Sequence, residues 1–171
     1  MQITSSYGVE LQKQNIPIRR TLEIYRSAVC YLTEKLAQVW EELSGLTDAK
    51  RRFNAAEHLV HTTKWNVARF DFDFRFPKMP SYLRRAAIQH ALGSISSYET
   101  RMALWEETDK KAGRPRLVYE NHAMPVFYRD VMYRQAEEGK DAAYLKLYDG
   151  HDWKWFRVKL EHTDMKYLRK N

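Results

Sequence analysis

Near the C-terminal end of this 171-residue chain, rings and cations alternate two positions apart: Tyr144, Lys146 and Tyr148, then, beyond Asp149 and Gly150, Trp153, Trp155, Arg157 and Lys159. Side chains two apart on an extended backbone share a face. A ribbon of this kind has rings to stack on bases and cations to neutralise phosphates, the means by which single strands are gripped. Tyr and Trp also pack against a second sheet or a neighbouring domain. The pattern therefore leaves a second reading open, an interaction module docking its aromatic hairpin face onto a protein partner.

Other cations cluster upstream. Arg84 and Arg85 fall in the first turns of a helix read as starting at Ser81, with Arg101 further along it. Cations near a helix N-terminus oppose the macrodipole, so their placement is explained either by an anionic ligand or by pairing with acids such as Glu99 and Glu106. Lys110, Lys111, Arg114 and Arg116 crowd one loop, and Arg51 and Arg52 follow Lys50 on the outer face of another helix.

Residue sets for covalent or metal chemistry are sparse. His58 and His61 lie three apart and can share a helical face, but no nearby Cys or H-E-x-x-H pattern completes a metal site. Asp71 and Asp73 share one extended side without a group to orient a water or metal. The sequence has no P-loop, G-x-G-x-x-G or G-x-S-x-G motif. Cys30, the single cysteine, sits beside an apolar stripe and reads as packing. No cofactor or metal is expected. The net charge of +7 and pI near 9.4 favour polyanionic partners, and the excess is spread along the chain rather than gathered in a tail. One cysteine excludes an internal disulfide and suits a reducing compartment. Met1 to Gln14 lacks the regions of a secretory signal, and no apolar run reaches spanning length, so the expected location is the cytoplasm.

The elements that must position these residues follow from periodicity. Ile3 to Gln12 reads as a strand. Ile18, Leu22, Tyr25, Val29, Leu32, Leu36, Val39 and Leu43 step by three and four, predicting one long helix capped by Asn15, eased by Pro17 in its first turn and stopped at Gly45. A second helix is expected over Asp48 to Thr62, with Phe53, Ala56, Leu59 and Val60 inward. Phe70, Phe72, Phe74 and Phe76 alternate with charged residues, the pattern of an extended strap ended by Pro77 and Pro80. Ser81 is read as the cap of a third long helix to about Glu107, with Ile88, Ala91, Ile95, Tyr98, Met102 and Trp105 on one side. Strands are expected over Val126 to Tyr133 and in a hairpin of Ala143 to Tyr148 with Trp153 to Leu160. Its second face would carry Leu145, Leu147, Phe156, Val158 and Leu160.

Pro80-Ser81-Tyr82-Leu83-Arg84-Arg85-Ala86-Ala87-Ile88, Ala91-Leu92-Gly93, Ser96-Ser97-Tyr98 and Trp105 resemble the N-terminal region of transposon-encoded TnpB (OrfB) proteins. Gly113-Arg114-Pro115-Arg116-Leu117 is similar to that family's Gly-x-Pro turn, Pro125-Val126-Phe127-Tyr128 to its following strand, and Tyr144 to Leu160 to its Trp-x-Trp hairpin; together these cover roughly residues 70 to 160. The family comprises RNA-guided nucleases related to type V CRISPR effectors. The resemblance implies an α+β fold: a helical recognition domain inserted after the first strand of a small antiparallel β-barrel of oligonucleotide-binding, wedge-like type. The expected divisions are residues 1–16 for the first barrel strand, 17–112 for the helical insertion and 113–171 for the rest of the barrel. Guide RNA and double-stranded target DNA are the implied partners, with Tyr82, Arg84, Arg85, Tyr98, Arg114 and Arg116 carried onto the binding surface. Cleavage in that family belongs to a RuvC domain, whose metal-binding acids lie beyond the point at which this sequence ends. The expectation is binding without cutting, with a separate RuvC-containing nuclease polypeptide as a further candidate partner.

Overall fold

The structure, a computed structural model, describes residues 15–108, 110, 113–119, 122–135 and 142–159. The expected strand Ile3 to Gln12, the expected strand end Leu160 and the candidate cation Lys111 lie outside the described residues. The chain divides into two compact units, a helical one over residues 22–126 and a sheet-containing one built from residues 1–21 and 127–171.

In the helical unit, the three-and-four stripe becomes α1 (Asn15–Ala37), of which residues 22–37 belong here, with Tyr25, Val29, Leu32 and Leu36 closed to solvent. The expected single helix to Gly45 is broken. After Ala37 the Val39 amide donates to the Leu36 carbonyl, three residues back, before α2 (Trp40–Ser44) begins. The apolar stripe runs through the break, with Val39 and Leu43 both buried, so periodicity cannot reveal it. Asp48 caps α3 (Ala49–Val60) by accepting from the Arg51 amide at 2.8 Å, and Phe53, Ala56 and Val60 face inward.

The extended strap expected over Phe70 to Phe76 is instead a single helical turn, α4 (Phe72–Arg75). Two interactions at a spacing of four favour the turn. Arg75 Nε donates to Asp71 Oδ2 at 3.0 Å, and Phe72 and Phe76 come onto one side with ring centroids 4.9 Å apart. Phe74, midway between them, is left 86% exposed. Tyr31 of α1 packs edge-on to Phe76 and donates its hydroxyl to Asp71. Burial, followed by this bond to a carboxylate, pushes the Tyr31 phenol up to about 12.

The longest element, α5 (Ser81–Glu107), matches the expected span, although Pro80 stands at its N-cap position and Ser81 is already helical. Leu83, Ala87, Ile88, Ala91 and Ile95 are buried along it. Gly93 lies mid-helix on the outer side, and a Cβ there would meet nothing within 4 Å. Residues 113–119 and 122–126 follow in irregular conformation.

The other unit contains β1 (Tyr133–Gln135), β2 (Ala142–Tyr148) and β3 (Trp153–Lys159), antiparallel in the order β1-β2-β3. The protein is thus α+β, as expected, but among the described residues the sheet is open and three-stranded, not closed into a barrel. The expected strand Val126 to Tyr133 mostly fails. The Tyr128 carbonyl accepts from the Met132 and Tyr133 amides and Asp130 has φ 66°, so the chain turns there and pairs only from Tyr133. The hairpin register pairs Tyr144 with Arg157, Leu145 with Phe156, Lys146 with Trp155 and Tyr148 with Trp153, which sorts the two faces as alternation requires.

The hairpin turn is tightly determined. Asp149 Oδ1 accepts from the His151 and Asp152 amides at 2.8 Å, and Lys154 pairs with the same carboxylate. Lys154 first, then the Asp152 and His151 amides, hold the Asp149 carboxyl well below its usual range. Arg20, in the first turns of α1, donates to the Asp149 carbonyl, and Thr21 Oγ1 accepts from the Tyr148 amide at 2.8 Å. Gly150 adopts φ 107°, and a Cβ there would come within 2.9 Å of Arg20 Nη1.

Gly150→Ala should therefore destabilise the protein by about 1–3 kcal/mol, read as a lower urea midpoint at constant slope. For Tyr31, the raised value means that its contribution to stability is present below pH 10 and is lost as the pH climbs from 10 through about 12. An absorbance titration of tyrosinate should show a late-ionising fraction, and Asp71→Asn should shift part of that fraction back towards 10.

Candidate nucleic-acid interface

The sheet face read as aromatic and basic divides into a packed end and an open end. Beside the hairpin turn, Trp153 is only 8% exposed and its ring lies 5.4 Å from that of Tyr148, whose hydroxyl donates to the Gly150 carbonyl at 2.9 Å. Both residues were candidates for base stacking. Trp153 is packed, because the tight turn draws the two rings together.

Away from the turn the face opens. Strand register places Arg134, Tyr144 and Arg157 in one row across β1, β2 and β3, with Lys146 and Trp155 paired in the next row. Arg134, Tyr144, Arg157 and Lys159 are exposed, and Lys146 and Trp155 are half-exposed. The Arg134 guanidinium lies 4.3 Å from the centre of the Trp155 ring, a cation–π stack that presents a flat cationic surface. Arg134 was not among the sequence candidates. It falls one residue past the expected strand end, and only the pairing of β1 with β2 brings it beside the hairpin.

The cations of the helical unit have more varied positions. Arg84 is buried and its Nη2 lies 3.4 Å from Glu57 Oε1, so the pair joins α5 to α3. Arg52 donates to the Leu43 and Leu46 carbonyls, closing the end of α2, and lies over the Trp40 ring. These two guanidiniums are occupied by the fold itself: desolvation demands a partner for Arg84, and the orphan carbonyls at the end of α2 need donors. Arg85 lies over Phe53 and 3.9 Å from Glu57 Oε2, yet remains largely exposed. Arg51 and Arg116 are exposed, Tyr82 is exposed and Tyr98 half-buried. Lys110 and Arg114 both approach Trp105, at 5.4 and 5.8 Å from its ring centre.

A groove of about 660 Å³ runs along the outer side of α5, lined by Gln89, His90, Gly93, Ser94, Ser97 and Arg101, with Leu117, Val118 and His122 opposite. Of these residues, only Arg101 belongs to the cations expected to bind nucleic acid. The two histidines are 32 positions apart in sequence, and no motif joins them.

Elsewhere, His61 Nδ1 lies 2.9 Å from Asp73 Oδ2, which also accepts from the Thr62 amide. Among the described residues no group of three His, Cys, Asp or Glu side chains is placed to hold a metal ion, and no helix is long and apolar enough to cross a membrane.

Residues 5–149 match the Aq_aa04 family, and the protein belongs to that family. No curated protein and no solved structure matches it.

The Glu57–Arg84 pair provides a check on the reading of Arg84 as structural. Glu57→Ala should cost about 2–4 kcal/mol by stranding a buried cation, whereas replacing both residues with Met should cost less. Urea unfolding of the two variants measures the difference.

Proposed function

We propose that the protein is a nucleic-acid-binding module that grips RNA or single-stranded DNA on the open end of its sheet. The observation that carries this is the row of Arg134, Tyr144 and Arg157 beside the Trp155–Lys146 pair, with Arg134 stacked on Trp155. Bases stack on Tyr and Trp rings or on a guanidinium plane, and the flanking cations take the phosphates. A net charge of +7 adds long-range attraction for a polyanion.

The resemblance to TnpB carries the reading further, to guide RNA and transposon-adjacent target DNA as the natural ligands. A helical unit lying in sequence between the two parts of a sheet-containing unit is consistent with that order. The exposed Arg51, Arg85, Arg101, Arg114 and Arg116 supply further phosphate contacts on the helical unit. The function assigned is binding, with base pairing by the guide reading the target.

The test is fluorescence anisotropy of a labelled, structured transposon-end RNA and of a DNA single strand, titrated with the full chain over a range of salt. Affinity should fall linearly with the logarithm of salt concentration, and Arg134→Ala should reduce the slope by about one phosphate contact. Trp155→Ala or Tyr144→Ala should cost about 1–3 kcal/mol of binding at unchanged unfolding midpoint. Absence of binding at low salt, or variants that bind like the wild type, would overturn the proposal.

A further inference from the structure

The groove on α5 belongs to the helical unit and contains none of the sheet residues. Its walls differ in chemistry. Leu117 and Val118 make one side apolar, whereas α5 contributes hydroxyls from Ser94 and Ser97 and, at one end, the guanidinium of Arg101. Arg101 is anchored by donating from Nε to the Ser97 carbonyl at 3.2 Å, which fixes its head at the groove without neutralising it.

The imidazoles stand on opposite walls, His90 on α5 and His122 on the segment after it. Both walls are held. The His90 ring packs edge-on to the buried Tyr25 at 6.1 Å, and Arg26 of α1 donates to the Ala123 carbonyl at 3.2 Å, tying down the residue next to His122.

Gly93 lies on the α5 wall, between His90 and Ser97. Glycine weakens a helix interior relative to alanine. Neither backbone nor packing demands it here, since the helix is regular through this position and a Cβ would meet nothing within 4 Å. What glycine provides is bare backbone, against which a flat group can lie.

We infer that this groove is a binding site for one nucleotide, with the base against Gly93 and the Leu117–Val118 wall and the phosphate at Arg101. The open groove of about 660 Å³ has room for a small ligand to lie along it, and apolar walls with a few convergent polar groups are how such sites fix orientation. The choice of a nucleotide as ligand rests on the nucleic-acid reading above, but the groove shares no residue with the sheet. The nucleotide is either free or the extruded unit of a bound strand, and the two sources share this chemistry.

The experiment is isothermal titration of the full chain with uridine monophosphate and adenosine monophosphate, with inorganic phosphate and the parent nucleosides as comparisons. At least one mononucleotide should bind saturably, at least tenfold more tightly than phosphate or its nucleoside. Gly93→Met should weaken it tenfold or more while leaving the unfolding midpoint equal or higher, since methionine is the better helix former. Arg101→Gln should remove most of the advantage of the mononucleotide over its nucleoside. Trp155→Ala should leave mononucleotide affinity unchanged, which keeps this result distinct from failure of strand binding on the sheet. Displacement of the mononucleotide by a chain of eight uridines identifies a strand as the source, and lack of displacement identifies a free nucleotide. No saturable binding, phosphate binding as tight as the mononucleotides, or a Gly93→Met protein with wild-type affinity would overturn the inference.

Discussion

The helical unit depends on the burial of one side of α5. With Leu83, Ala87, Ile88, Ala91 and Ile95 committed to the core, the 3.6-residue period leaves no choice about what faces out. Gln89, Gly93 and Ser97 must lie on the opposite side, and they do. The same commitment carries Arg84 inward among the apolar residues, where Glu57 has to meet it. One packing decision thus sets which arginine of the Arg84–Arg85 pair is structural and which remains on the surface.

Much of this was legible in the chain itself. Sustained three-and-four spacing located α3 and α5, and the Asp149–Gly150 turn fixed the hairpin and its register, because a slip by one residue would turn Leu147 and Val158 out of the core. Three features were not legible. The break before α2 leaves the apolar stripe intact, so the pattern reads straight through it. The four alternating phenylalanines carry a strand period, yet they also make two pairs four apart, of which Phe72 and Phe76 meet, and the Asp71–Arg75 pair with Tyr31 nearby decides for a turn. β1 is three residues long and exists by pairing with β2, not by any preference of its own.

The same distinction runs through the candidate surfaces. Composition marks where cations are abundant but does not show which of them the fold consumes. Arg52 caps a helix end and the buried Arg84 is answered by Glu57, while Arg134, which alternation along the hairpin alone does not reach, reaches from the edge strand β1 to the Trp155 ring on the open sheet face. Trp153 and Trp155, two positions apart on one face, differ because one adjoins the turn and the other lies beyond it. A surface is defined by what remains after the interior has taken its share.

The hairpin turn reverses a common expectation about loops. Connections at the tips of hairpins ordinarily tolerate changes of length and sequence. Here the Asp149 carboxylate holds two amides and Lys154, the Asp149 carbonyl holds Arg20, and Gly150 leaves the space that the guanidinium fills. An inserted residue would have to release all of these at once. In an alignment of its relatives, this turn should keep its length, and a tag or graft placed in it would disturb the start of α1 as well as the sheet.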